Sequence, residues 1–591
     1  MKTRTTSLCS ISIAIALYAQ SAHAQDATAP VTPATPATPT TPANPPTVPA
    51  PGNVPGTGPI PETPPPFTPR TDNPTSDPTP PGARLTREDR PGQGASVDES
   101  GVGTDLHPMA GYHNGLFYLR DANDNFHLFV NGRAHIDFYS YAGGGVPETA
   151  LKPTLFFRRV RPEITGDFLH HFNFMIAGEF GATAVDNAKG TNETSASAPG
   201  AAPTATSSKF ATAQTTRFQA TSADVFINYR QGSIFNIQVG QFDAPFMMDN
   251  RTSDKYTAFM ERALPVRAIG IPSNKEIGAM FWGETQNRLF YYSFGPFNGD
   301  GQNRPNVDAR FDVMGRVFVH PLATTDLAKG NPLKDLQIGG SVRYGSRDKK
   351  WVNYDYTALT TQGNFAFWSP TYAATNGINH IIPSGDQLGV AGELRIPFDR
   401  FDLTSEFLYI KNDTREAVEG FEATNTERFG DISGISYYAQ LGWWVYGKRD
   451  INGLPGYENP PSLNWSKADP VDPDTAVQLL AKFEQVSLKY DSASRGGTPD
   501  AKNIDGDIKA NVISFGINYW ATKHIRLTLN YVYNQFPDSG PVKSSQPGGN
   551  VQTSTNRAQA PGNTIGAGID DRAHDNAHDL HEVLARFAVA L

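Results

Sequence analysis

From Phe126 onward, apolar and polar residues alternate along the chain, and the alternation returns in segment after segment. In Phe126-His127-Leu128-Phe129-Val130-Asn131-Gly132-Arg133-Ala134-His135-Ile136-Asp137-Phe138 the even positions are apolar or small and most odd positions are polar. A period of two describes a strand with one oily and one wet face. The same pattern sets Phe172, Phe174, Ile176 and Phe180 against Asn173 and Glu179, and Val225, Ile227 and Tyr229 against Asp224 and Asn228. It recurs in Ile525, Leu527, Leu529, Tyr531 and Tyr533 against Arg526, Thr528 and Asn530. Sixteen such segments begin near residues 126, 154, 171, 222, 233, 275, 288, 312, 336, 387, 400, 434, 477, 508, 523 and 579, and an even number lets an antiparallel sheet close.

The connections alternate as well. Those after the second, fourth, sixth, tenth and fourteenth segments are tight, whereas 183–221, 242–274, 346–386 and 536–578 are long. Short turns on one side and long loops on the other mark an outer-membrane barrel. Residues 320–335 and 446–476 are long where turns belong, so the strand pair near Trp443 is either decorated or miscounted. The fold predicted is all-β, a transmembrane antiparallel β-barrel of about 16 strands, preceded by a disordered Pro-rich segment. A soluble β-sandwich is the competing reading, but it rarely carries loops this long. Tyr229, Trp282, Trp443, Trp444, Tyr519, Trp520 and Tyr533 lie near strand ends and suit the water–lipid boundary.

Composition narrows the picture. The 591 residues have a formal net charge of -9, a mean hydropathy of -0.42 and no apolar run of the roughly 20 residues a spanning helix needs. A helical membrane bundle is excluded, and the absence of a basic tract argues against a nucleic-acid partner. Residues 1–24 read as a secretory signal peptide, with Lys2 and Arg4, an apolar stretch from Leu8 to Tyr18 and Ala22-His23-Ala24 as cleavage site. Its Cys9 is the chain's one cysteine, so the mature protein is expected to have none. Residues 25–105 form a Pro/Thr/Ala-rich linker in which 20 of the 52 residues from Pro30 to Pro81 are proline, a composition that cannot bury a core. It is either a plain spacer or a periplasmic stalk that engages peptidoglycan. Residues 106–591 are then the channel.

If the apolar parity faces lipid, the other parity lines a lumen, where Arg133, Arg159, Arg161 and Arg316 stand beside nearly balancing carboxylates. A wet, charged interior suits a solute channel. In Arg158-Arg159-Val160-Arg161 parity sends Arg158 opposite to its neighbours, which places it at a rim or a bulge. A second cluster follows the fifth strand, where Arg251, Lys255, Arg262, Arg267 and Lys275 accompany Asp249, Asp254, Glu261 and Glu276. Arginine suits anion transit because it stays charged and offers a planar fork of donors; ordinary rim charge is the plain alternative. His574, His578 and His581 lack zinc-motif spacing, and Asp469, Asp472, Asp474, Asp505 and Asp507 lack the spacing of a calcium loop. No hydrolase motif occurs, so neither an enzyme, a metal nor a cofactor is expected.

The double-arginine strand Phe157-Arg158-Arg159, Gly240-Gln241-Phe242-Asp243-Ala244-Pro245-Phe246, Phe259-Met260-Glu261-Arg262-Ala263-Leu264-Pro265, Arg267 with Ile269-Gly270, and Phe297-Asn298-Gly299-Asp300-Gly301 before Gly315-Arg316-Val317 resemble the phosphate-selective porin O and P family of bacterial outer-membrane channels. The resemblance spans roughly residues 126 to 591. It implies a 16-stranded barrel, usually trimeric, whose third extracellular loop, about 242–274 here, folds inward to narrow the pore. It also implies that Arg158, Arg159, Arg262 and Arg267 guide anions. Relatives often carry a lysine where this chain has Asp243. The expected function is passive diffusion of small hydrophilic solutes across the outer membrane with a preference for anions, phosphate or related ones. The anion pathway would comprise Arg133, Arg158, Arg159, Arg161, Arg262, Arg267, Lys275 and Arg316, in a lipid-embedded homotrimer. A structural or wall-tethering barrel with little transport is the alternative.

Overall fold

The computed structural model describes residues 108–590 apart from 114–115, 144–152, 182–220, 272–273, 326–329, 349–351, 353, 369, 375–376, 419–427, 448–474, 492–504 and 537–578. The expected signal peptide and the whole of the linker lie outside the described residues. A short hairpin, β1 (Ala110–His113) and β2 (Leu116–Arg120), precedes the barrel. Its first half comprises β3 (Phe126–Ala142), β4 (Thr154–Phe168), β5 (Phe172–Glu179), β6 (Thr221–Arg230), β7 (Asn236–Asp243), β8 (Lys275–Glu284), β9 (Phe290–Phe297) and β10 (Asp312–Val319). After β11 (Gln337–Arg347), three short strands, β12 (Leu359–Thr360), β13 (Ala366–Trp368) and β14 (Thr371–Ala374), belong to a loop. The barrel resumes with β15 (Gly377–Phe398), β16 (Phe401–Val418), β17 (Arg428–Tyr446), β18 (Ala476–Asp491), β19 (Asp505–Thr522), β20 (Ile525–Gln535) and β21 (Asp579–Ala590).

Every consecutive pair of the sixteen barrel strands is antiparallel, and β21 returns to β3 with Ala590 opposite Arg133 and His581 opposite Ala142. The ring is closed, so its backbone groups pair within the sheet and no edge meets hydrocarbon. Strand starts agree with the alternation except mainly at β15 and β17, which begin ten and six residues earlier than expected at Gly377 and Arg428. These extensions lie on the long-loop side, where lipid no longer selects for an apolar parity. The pair near Trp443 is genuine: β17 and β18 pair from Asp431↔Asp491 to Tyr446↔Val477. At the tight end, Leu169 and His170 of the three-residue turn 169–171 adopt φ of 52° and 60°, left-handed values that tight hairpin turns use.

Parity holds around the wall. Val130, Phe138, Ile164, Val225, Val317, Val390, Phe483, Leu529 and Phe587 are exposed on the outer face, while His135, Asp137, Glu163, Arg316, Glu406 and Asn530 are buried inside. The tryptophans correct the expected boundary belt. Trp443 faces outward and stacks on Phe401, but Trp444 and Trp520 point inward and stack on each other with ring centroids 5.0 Å apart. Trp282 is also turned in and donates from Nε1 to Asn228 Oδ1. β2 pairs with the first residues of β3, Phe117↔Val130 to Arg120↔His127, along the stretch that β21 is too short to reach. His127 there binds Asp124 and Asp167 at 2.9 and 2.8 Å.

The outward parity yields a direct check. Leu529→Arg puts a charge into the apolar belt and should cost about 2–4 kcal/mol, whereas Leu529→Phe should cost little; urea unfolding in lipid vesicles measures both. Equal stability of the two variants would show that this face does not meet hydrocarbon.

Candidate channel constriction

Residues 244–271 leave β7 and cross the interior, and the chain rejoins the wall at β8. Two apolar anchors seat this crossing loop. Phe246 lies against Gly389 on β15 and Phe259 against Gly516 on β19, where an added Cβ would stand 3.0 and 3.2 Å from the rings; a bare backbone makes the seat. The loop holds two short helices, α1 (Met248–Arg251) and α2 (Leu264–Ile269), the second opened by Pro265. Between the anchors and just beyond them its backbone is bound on every side. Met247 N–H donates to Ser341 Oγ at 3.0 Å, Asp249 N–H to the Glu406 carboxylate at 3.0 Å, Leu264 N–H to Glu484, and Met260 N–H to Asn530 Oδ1 at 3.0 Å. Asn518 donates to Ala258 O at 2.8 Å and Arg526 to Thr257 O at 2.8 Å. Strands so widely spaced around the ring are reachable together only from within.

One side of that interior is basic. His135 pairs with Arg159 and Ile136 with Phe157, so Arg158 is the extra residue of a bulge in β4. The bulge turns Arg158 inward beside Arg159 and Arg161, and each finds a carboxylate. Arg158 binds Glu261 at 2.9 and 3.1 Å, Arg159 binds Asp254 at 2.6 Å and Glu179 at 3.4 Å, and Arg161 binds Glu179 at 2.8 Å and Asp224 at 3.7 Å. Arg133 of β3 pairs with Glu163 at 3.0 Å and with Asp254, while Arg586 of β21 holds Asp137 at 2.7 Å and Glu261 at 3.2 Å. Burial pushes the Glu261 carboxyl up, but Arg158 and Arg586 outweigh it and hold it at about 2. Asp254 is likewise pushed up by burial and brought well below the ordinary carboxylate range by Arg133, Arg159 and Arg161.

The structure therefore brings Arg133, Arg158, Arg159 and Arg161 together, with Lys275 joined at one remove: it binds Asp224 at 2.6 Å and Asp243 at 2.8 Å. Asp243 thus occupies the lysine. The other three expected residues stand elsewhere. Arg262 turns back on its own loop and donates to the carbonyls of Asp249 and Thr252. Arg267 donates to Thr360 O, and its Nε and Nη2 have no hydrogen-bond partner among the described residues. Arg316 is fully buried on β10 in a two-pronged bond with Glu393 at 2.8 and 2.9 Å.

A second segment enters the lumen that sequence reasoning missed. In the connection between β11 and β15, Gln362 donates to Glu484 at 2.9 Å and to Ser514 at 3.0 Å, and Tyr141 donates to Gly363 O at 2.7 Å. Leu359, Phe365, Phe367 and Trp368 join Leu264, Val266 and Ile269 of the crossing loop in one apolar cluster inside the barrel. The interior is thus oily across part of its section, a departure from the uniformly wet lumen expected. The signal was Phe365-Ala366-Phe367-Trp368, an apolar run in a stretch that should face water. On the short-turn side, a cavity of about 60 Å³ is lined by residues including Asp249, Tyr256, Glu261, Arg395, Gln440 and Lys482.

The depressed carboxyls fix a pH dependence. Ionised Asp254 and Glu261 hold the crossing loop, so that contribution is complete above the ordinary carboxylate value of about 4, and the share of Glu261 is lost as pH falls through about 2. Pepsin should leave the Phe259-Met260 region intact at about pH 4 and cut it near pH 2, read by mass spectrometry. Equal cleavage at both values would contradict the ionic docking.

Residues 129–318 match the model of the phosphate-selective porin O and P family. Among solved structures, the chain is similar to in-vitro folded OmpT of Vibrio cholerae, at 10% identity and a TM-score of 0.40 over 79% of this chain and 98% of that one. It is also similar to an anion-selective porin from Comamonas acidovorans, at 11% identity and a TM-score of 0.39 over 79% and 100%. The outer membrane channel DcaP of Acinetobacter baumannii gives 9% identity and a TM-score of 0.40 over 80% and 99%. No curated protein matches the sequence.

Proposed function

We propose that this chain, a porin of the phosphate-selective porin O and P family by residues 129–318, lets small hydrophilic anions, phosphate or related ones, diffuse passively across the outer membrane. The observation that carries the reading is the bulge in β4, which turns Arg158, Arg159 and Arg161 into the lumen beside a loop that narrows it. Guanidinium groups in a narrow, low-dielectric passage focus a field that raises the local concentration of anions, and their fork matches the oxygens of phosphate. Arg133 continues the row, while Lys275, Arg262, Arg267 and Arg316 contribute through the neighbouring carboxylates and carbonyls they hold. The described residues begin at the short-turn end, where β1 and β2 pair with the start of β3; we place that end in the periplasm, within reach of the cell wall. Three copies associating through their outer walls complete the proposal.

A structural or tethering barrel, shut at rest, is the second reading, and the apolar packing of Leu264 and Val266 with Phe365 and Trp368 favours it. Planar-bilayer recording separates the two. The channel reading expects stepwise currents with a reversal potential in a salt gradient displaced toward the anion. Arg158→Gln with Arg159→Gln should lower the anion-to-cation permeability ratio about threefold or more while changing total conductance less. Silent bilayers would favour the second reading, and an unchanged ratio would remove these arginines from the pathway.

A further inference from the structure

We propose that Asp254 and Glu261 are tethered carboxylate occupants of an anion site on the wall formed by β3, β4 and β21, and that a permeating anion must displace them. The inference rests on the anion-channel reading and adds to it the residues that set how strongly free anions are preferred. Asp254 lies between Arg133 and Arg159, the latter at 2.6 Å. Glu261 takes the fork of Arg158 at 2.9 and 3.1 Å and a third bond from Arg586 at 3.2 Å. These are the bonds a guanidinium group makes to a free carboxylate or phosphate.

What separates this pair from the other carboxylates of the wall is how they are attached. Asp137, Glu163 and Glu179 sit on barrel strands and are fixed by the sheet, whereas Asp254 and Glu261 belong to the crossing loop. A loop carboxylate can yield its place without a strand pair breaking. The wall also has donors to spare. Both ring nitrogens of fully buried His135, which pairs with Arg159 across the strands, have no hydrogen-bond partner among the described residues, and a neutral imidazole offers one of them as an N–H donor. The Nε of Arg133 also has no hydrogen bond. A multi-oxygen anion such as inorganic phosphate can use these donors, which a single carboxylate does not reach.

Exchange of one anion for another leaves the guanidinium groups paired throughout, so displacement avoids stranding a buried guanidinium charge. A tethered competitor acts at an effective concentration in the millimolar range. It therefore lowers the net affinity for a free anion, and fast conduction needs such weak binding.

The test compares the full-length protein with Asp254→Asn plus Glu261→Gln in planar bilayers, first in a potassium chloride gradient and then with inorganic phosphate added. With the tethered charges removed, the chloride-to-potassium permeability ratio should rise about threefold or more, and phosphate should block chloride current at about tenfold lower concentration. Asp254→Glu, which keeps the charge, should return the wild-type ratio, and heat-shifted mobility on gels confirms a folded barrel for each variant. If the double variant does not fold, Glu261→Gln alone carries the test, with a smaller shift in the same direction. An unchanged ratio and block would overturn the proposal. So would a larger conductance at the same ratio, because the carboxylates would then merely fasten the loop. If Arg158→Gln with Arg159→Gln changes the ratio but the carboxylate variants do not, this inference alone fails; if none of them changes it, the anion-channel reading fails as well.

Discussion

Hydrocarbon offers a peptide group no hydrogen-bond partner, and this molecule is organised around that fact. Sixteen strands close with β21 against β3 so that the backbone is satisfied within the sheet. Closure divides the side chains by parity, and every second residue must tolerate lipid while its neighbours face inward. The charges of the lumen, the loop that crosses it and the solutes proposed to pass all follow from that division.

Inside, the problem reverses. Buried guanidinium groups are costly unless paired, and an array as dense as Arg133, Arg158, Arg159, Arg161 and Arg586 must be compensated. Strand carboxylates supply part of this, and Asp254 and Glu261 of the crossing loop supply the rest. The wall and the loop therefore explain each other: the loop is held across the lumen because its acids meet bases there. On the far side its backbone N–H groups meet the carboxylates of Glu406 and Glu484. The loop thus presents carboxylates to the basic wall and N–H donors to the acidic one.

Much of this was legible in the sequence, and the reasons are local. Lipid selects for apolar residues at every second position, so β3 declared itself in the run from Phe126 to Phe138, and three arginines out of phase pointed to a rim or a bulge at Arg158, of which the structure has the bulge. Trp444 and Trp520 were misplaced because an aromatic near a strand end carries no parity of its own. Adjacent Trp443 and Trp444 had to face opposite ways, and only one could meet lipid. The pairing of Asp254 with Arg159 was not legible, since it depends on the path of a loop through space. The entry of Phe365, Phe367 and Trp368 was hidden similarly, because their partners Leu264, Val266 and Phe536 lie far away in sequence.

The central claim is that residues 244–271 stand in the path of the current, and one recording addresses it. Thr257→Cys places a thiol on the crossing loop, and the sequence holds just one natural cysteine, Cys9, far from it in the chain. A bulky, membrane-impermeant thiol reagent applied during single-channel recording should reduce the current in discrete irreversible steps, with no effect on the unsubstituted protein. Currents that continue unchanged after mass spectrometry shows complete modification at residue 257 would place the loop outside the conducting path and contradict the account.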